Sequence, residues 1–265
     1  MGEAMSESFN TSPPAPSADV GTTTFEERPG GLRWRRLQAI AAGITIGSFV
    51  ILMALGGEVE GFLVAMAAPF AIGLVLIRFF PRVGALFLGV VSLATLAFSS
   101  PYMVEALSHP ESATDFVPQT FFTLSMVIAA LAAIPAYREV RGGGGKSQTP
   151  GSIAVAAGAL ALVAFAISIV AATTVDSVAA QPGDQIVVTR DLVFAPAQLT
   201  AEAGTISVHL TNQDSTRHTF TIDGLTDLSV PPKSTQRVTF DAVPGTYRFY
   251  CRPHAPDMDG VLVVE

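Results

Sequence analysis

A single cysteine, Cys251, stands in the stretch 250–260, which reads Tyr-Cys-Arg-Pro-His-Ala-Pro-Asp-Met-Asp-Gly. His254 follows it after two residues and Met258 after three more, and a second histidine, His218, opens an apolar-polar run upstream. One thiolate, two imidazoles and one thioether form a donor set that suits copper in both of its common oxidation states. Soft sulfur favours Cu(I) and imidazole is well accepted by Cu(II), so two histidines, a cysteine and a weak axial methionine are expected of a blue-copper electron-transfer site. Placing Cys251, His254 and Met258 on one short loop between two apolar strands limits rearrangement when the electron moves. Pro253 and Pro256 stiffen that loop further.

Each donor also has a plainer reading. A lone cysteine is usually a buried hydrophobe, and methionine often fills a core gap. His218, inferred as a partner across a long separation, could be a surface histidine at the start of a strand. The three ligand types gathered on the Cys251–Met258 loop, with a strand on each side, favour the metal. Of the remaining histidines, His209 alternates with the apolar Ile206, Val208 and Leu210 and is expected to face solvent. His109 has no second histidine nearby. Asp257 and Asp259 flank Met258 and read as a solvated rim, with steering of a basic partner or a lowered potential as the other possibility.

The elements that must hold these residues fall in two parts. From residue 181 onward, Ile-Val-Val at 186–188 and the runs 206–210, 218–222, 236–240 and 246–250 read as strands punctuated by Gly, Pro, Asn and Asp. Residues 181–265 therefore suit a small all-β sandwich or barrel. Ahead of them lie five apolar runs, at about 37–55, 62–80, 83–100, 117–137 and 152–175. Each comes close to the roughly 20 residues a helix needs to cross a bilayer, and helix is the form in which an isolated span satisfies its own backbone. The five-helix membrane domain is set at 33–176. Residues 1–32, with Pro-Pro-Ala-Pro at 13–16 and few apolar groups, read as a disordered cytoplasmic tail and not as a secretory signal.

Basic residues orient the spans. Arg28, Arg33, Arg35 and Arg36 precede the first, Arg78 and Arg82 lie between the second and third, and Arg138, Arg141 and Lys146 lie between the fourth and fifth. The alternate loops carry Glu58 and Glu60, then Glu105, Glu111 and Asp115, without Lys or Arg. The N-terminus is thereby expected in the cytoplasm and the C-terminal module outside the cytoplasmic membrane. The glycines at 142–145 before Lys146 lack phosphate-loop spacing and read as a flexible linker. Ala179 and Ala180 are too weak a processing signal to predict cleavage.

Residues 181–265 resemble the cupredoxins of the plastocyanin, pseudoazurin and amicyanin type. The likeness is carried by Phe-Ala-Pro-Ala-Gln-Leu at 194–199, Ala-Gly-Thr at 203–205, Asn-Gln-Asp at 212–214 before His218, and Val-Pro-Gly-Thr-Tyr-Arg-Phe-Tyr-Cys at 243–251 with the loop that follows. The resemblance implies a Greek-key β-sandwich with one type 1 copper ion at one end, held by His218, Cys251, His254 and Met258. It also implies that His254 is the electron port, within a small rim of Pro253, Ala255 and Pro256, for brief encounters with redox protein partners. Several relatives carry Asn directly after the first histidine, where this chain has Thr219. The five-span part resembles no family.

Composition narrows the function further. A net charge of −7 offers little to neutralise phosphates, so nucleic acid is not an expected partner. With four histidines, none inside a span once two are assigned to copper, a bis-histidine haem within the bundle is excluded, as is the second copper centre of an oxidase or nitrite reductase. The spans carry no ionisable residue near their centres, which disfavours proton or ion transport. The expectation is a non-catalytic one-electron carrier anchored in the bilayer. The alternative is a copper sensor or trafficking protein, in which Met53, Met66, Met103 or Met126 would take part.

Overall fold

The computed structural model describes residues 33–56, 61–142 and 149–265. The expected tail at 1–32, Glu58 and Glu60, and the linker glycines and Lys146 within 143–148 lie outside the described residues. Five helices come first: α1 (Trp34–Gly56), α2 (Gly61–Phe79), α3 (Pro81–Leu107), α4 (Ala113–Val140) and α5 (Thr149–Thr173). All five are long and apolar enough to cross a membrane.

The helices pack through small residues, which let backbones approach closely where lipid supplies no hydrophobic drive between them. A Cβ on Gly89 of α3 would lie 2.4 Å from the Ala133 Cβ of α4, and one on Gly84 would strike the Ile77 backbone of α2. Phe49, Phe70 and Phe122 bring α1, α2 and α4 together, the Phe49 and Phe122 rings meeting edge to face at 5.0 Å. Some buried polar groups bond across helices. Gln38 donates to both Ala85 O and Ala129 O at 2.9 Å, and the Thr45 and Ser125 hydroxyls meet at 2.8 Å.

The third helix runs past the expected end at Ser100 and through Pro101 to Leu107. Proline removes the donor that would reach Ala97 O. The Ser100 hydroxyl takes that role at 2.9 Å, so the helix continues.

Nine strands follow among the described residues: β1 (Gln185–Arg190), β2 (Val193–Ala195), β3 (Gln198–Ala201), β4 (Gly204–Asn212), β5 (His218–Ile222), β6 (Thr226–Val230), β7 (Thr235–Ala242), β8 (Gly245–Tyr250) and β9 (Asp259–Val264). They form two sheets, ordered β2-β1-β4-β7 and β3-β9-β8-β5-β6. The pairs β1–β4 and β3–β9 are parallel, which forces crossovers between the sheets, and the other pairs are antiparallel. Val187, Val208 and Leu210 of the first sheet face Phe220, Phe249 and Leu262 of the second in one buried core. Phe194 crosses the gap, with its ring edge-on to Phe249 at 5.2 Å and to Phe220 at 6.2 Å. The result is the β-sandwich expected from the strand pattern, preceded by the five helices.

His209 corrects the expectation of a solvated side chain. It points away from the sandwich core, as its alternation requires, yet it is only 6% exposed. The segment leaving α5 lies across that outer face: His209 Nε2 meets Val178 O at 2.8 Å, Val178 N–H donates to Thr235 O, and Gln236 donates to Asp176 O. Alternation identified the face but not what covers it.

The sandwich also meets the helices at the α3–α4 turn. Thr114 donates to Ser215 O at 2.8 Å, the Arg217 N–H reaches the Ser112 hydroxyl at 3.3 Å, and the Arg217 guanidinium pairs with Glu105. At the other end of α4, Glu139 accepts from Arg35 N–H at 3.1 Å and stands 4.0 Å from Arg33. The 28 residues of α4 span about 42 Å between these two sets of contacts.

Candidate metal centre

His218 is the first residue of β5, and Cys251 follows the last residue of β8. A single 3-10 turn, Arg252–His254, carries the chain from Cys251, and β9 begins just after Met258. The loop is closed by its own backbone: Cys251 N–H donates to Met258 O at 3.0 Å, and Met258 N–H to His254 O at 3.1 Å. Two adjacent strands of one sheet thus clamp both ends of a short loop.

Inside it, one donor atom each from His218, Cys251 and His254 lies within 4.8 Å of the others. The Cys251 sulfur is 3.6 Å from His218 Nδ1 and 3.3 Å from His254 Nδ1. His218 and Cys251 are fully buried, and His254 is partly exposed. Met258, 1% exposed, lies in the same buried cluster as Cys251. Pro253, Ala255, Pro256 and Asp257 are exposed around His254, and Asp259 pairs with Arg248 at 2.8 Å.

Burial sets the protonation of the donors. It pushes the Cys251 thiol up, against the N–H of Thr219, which points at the sulfur from 3.4 Å. It lowers His218 despite the opposing pull of Asp214. His254 is lowered to about 4, by burial first and by the neighbouring His218 second. Near neutrality the metal-free site therefore holds two imidazoles able to offer lone pairs and a thiol that must lose its proton on binding a metal.

Two residues stand behind the donors, one unread in the sequence and the other, Thr219, noted there only as a departure. Asp214 holds His218 Nε2 at 2.8 Å and so leaves Nδ1 to face the sulfur. Burial alone would raise the Asp214 carboxyl, but the N–H groups of Asp191 and Leu192 and the His218 ring outweigh it and hold the group low. Those two N–H groups come from the β1–β2 turn, where Asp191 and Leu192 have φ of 55° and 61°. A two-residue hairpin with both φ values positive matches strand twist, and it aims both amides at Asp214. Thr219 is the second. Its hydroxyl accepts from Arg252 N–H at 2.9 Å, so it braces the ligand loop. Histidine ligands usually have such a carboxylate partner behind them, which is the signal that marks Asp214 in retrospect.

The donor set fits copper by its chemistry. Two imidazole nitrogens turn toward one buried sulfur, and the outer nitrogen of His218 is already engaged by Asp214.

The C-terminal part of the chain is similar to known proteins. Residues 158–264 match the family model described as a cupredoxin-like domain. The C-terminal sandwich has a cupredoxin-like fold. The match starts inside α5, ahead of the first strand. Among solved structures, a reduced amicyanin variant is 22% identical, with a TM-score of 0.29, and the match covers 32% of this chain and 86% of that one. Amicyanin from Paracoccus versutus is also 22% identical, with a TM-score of 0.28 and coverage of 32% and 85%. The comparison with curated proteins returns no match.

Proposed function

We propose that the chain is a membrane-anchored blue-copper protein that carries single electrons between redox partners at the outer face of the cytoplasmic membrane. His218, Cys251, His254 and Met258 would hold the ion, which supplies a one-electron couple between Cu(I) and Cu(II). The observation that carries this reading is the convergence of His218 Nδ1, Cys251 Sγ and His254 Nδ1 in one buried cluster.

The residues around that cluster support the role. Asp214 orients His218, and the Thr219 N–H directed at the sulfur stabilises a thiolate there. The strand-tied loop keeps Cys251, His254 and Met258 in place while charge changes. His254 reaches the surface among Pro253, Ala255 and Pro256, a small apolar rim suited to weak redox encounters, which bury less than about 1,200 Å². Complete burial of His218 and Cys251 favours a retained ion over the exchangeable one that trafficking would need. The outward placement of the sandwich rests on the basic residues of the sequence. It is supported by the contacts at the two ends of α4, with Arg33 and Arg35 at one and the sandwich at the other.

The test is optical. The full chain, purified in detergent and loaded with copper, is expected to show an intense visible thiolate-to-Cu(II) band that Cys251→Ser removes. A wild type that binds copper and stays colourless would overturn the electron-transfer reading.

A further inference from the structure

The α3–α4 turn does more than join two spans. Arg217 immediately precedes His218, and its side chain is only 4% exposed. Its guanidinium pairs with Glu105 at the end of α3 and reaches the Ser229 hydroxyl at 3.3 Å. Its N–H reaches Ser112, Thr216 reaches Asp115 at 3.4 Å, and Ser215 O accepts from Thr114. Arg252, next to Cys251, has Asp227 at 2.9 Å and Glu105 at 4.0 Å. The turn is itself braced: Ser168 of α5 donates to Pro110 O at 2.7 Å, and His109 sits 3.0 Å from Glu111 and 4.0 Å from Glu105.

We propose that this turn is a docking surface built for the metal end of the sandwich, and that Glu105 and Arg217 act across it as positioning residues that set the charge around the copper site. The proposal rests on the copper reading above but reaches beyond it, because it gives the helical bundle a part in the site.

Two physical effects act across the turn. A buried guanidinium that loses its partner is strongly destabilising, whereas a paired one chiefly selects one arrangement. Arg217 and Glu105 therefore favour a single docked register, and the bonds to Ser112 and Thr114 fix the backbone that leads into His218. The second effect is electrostatic. A carboxylate near the ion favours the more highly charged Cu(II), and a guanidinium favours Cu(I). Asp115 of α4 accepts from the Thr216 hydroxyl at 3.4 Å, two residues before His218, and Arg217 directly precedes that histidine.

The experiment uses the full chain in lipid nanodiscs with Glu105→Gln, Arg217→Gln, Ser112→Ala and the conservative Glu105→Asp. In copper-free protein, amide hydrogen exchange at 215–219 is expected to speed up about tenfold or more in Glu105→Gln and Ser112→Ala, and to recover in Glu105→Asp. In copper-loaded protein at a fixed ambient potential, Glu105→Gln is expected to lower the oxidised-to-reduced ratio several-fold and Arg217→Gln to raise it. Loss of packing alone would move both variants in the same direction. Unchanged exchange in Glu105→Gln and Ser112→Ala overturns the docking surface, and same-sign shifts overturn the charge-setting role. Absence of the visible band in wild type would instead strike the copper reading, while the copper-free exchange still decides the docking surface.

Discussion

Asp214 holds the outer nitrogen of His218, and a ligand imidazole so braced is more basic and fixed in one tautomer. Replacing it by Asn keeps the shape and removes the charge. Asp214→Asn is expected to weaken copper binding about 10- to 100-fold, measured by competition with a chelator of known affinity. The histidines also set a pH dependence in the copper-free chain. His254 is lowered from 6.5 to about 4 and His218 in the same direction, so the unfolded chain binds more protons than the folded one in that interval. Their contribution is complete above about pH 6.5 and is lost as pH falls toward 4, on the order of 1–3 kcal/mol. Denaturation midpoints of copper-free protein between pH 7 and 4 check this; a flat profile would contradict it. At this scale the convergence of His218, Cys251 and His254 was legible because those residue types and that loop spacing are rare together. Asp214 and Thr219 were not, because a polar residue on a turn or strand carries no sign of where its side chain will point.

Elements explain both the precision of the loop and the gaps in the sequence reading. β8 and β9 pair from Gly245 opposite Val264 to Tyr250 opposite Asp259, so the loop between them has no slack. Gly260 lies opposite Phe249, and a Cβ there would stand 2.2 Å from the Phe249 ring and 2.5 Å from Ala197 O. Gly260→Ala is therefore expected to destabilise the sandwich by about 1–3 kcal/mol through overpacking, read from chemical denaturation, with the visible band weakened in proportion to unfolding. Retention of wild-type stability would show that β9 can shift, and with it the base of the ligand loop. The longer strands announced themselves by alternation, as in Ile206, Val208 and Leu210. Three did not. β2 and β3 are three and four residues long, too short for a period to show, and β6 is an edge strand with weak alternation. The spans were legible by hydropathy, but α3 outran its expected end because Ser100 supplies a donor to the carbonyl that Pro101 leaves without one.

On the scale of the whole molecule, the arginine-bearing end of α4 and the sandwich end lie about 42 Å apart. In intact spheroplasts, a tag placed after Glu265 is expected to be open to an external protease and a tag before Met1 to be protected. The reverse pattern would refute the orientation drawn from the basic residues. The segment at 176–178 adds a consequence of its own. It is stitched to β7 by the Val178 N–H bond to Thr235 O and by side-chain bonds from Thr235 and Gln236. A domain on a free leash sweeps a volume set by leash length, but a stitched one cannot swing. With its base fixed to α5 on one flank and to the α3–α4 turn on another, the metal end has a set distance and heading from the helices. Encounter frequency would then depend on how fast partners drift past in the plane of the membrane, and lengthening the chain at Ala179 would leave it unchanged.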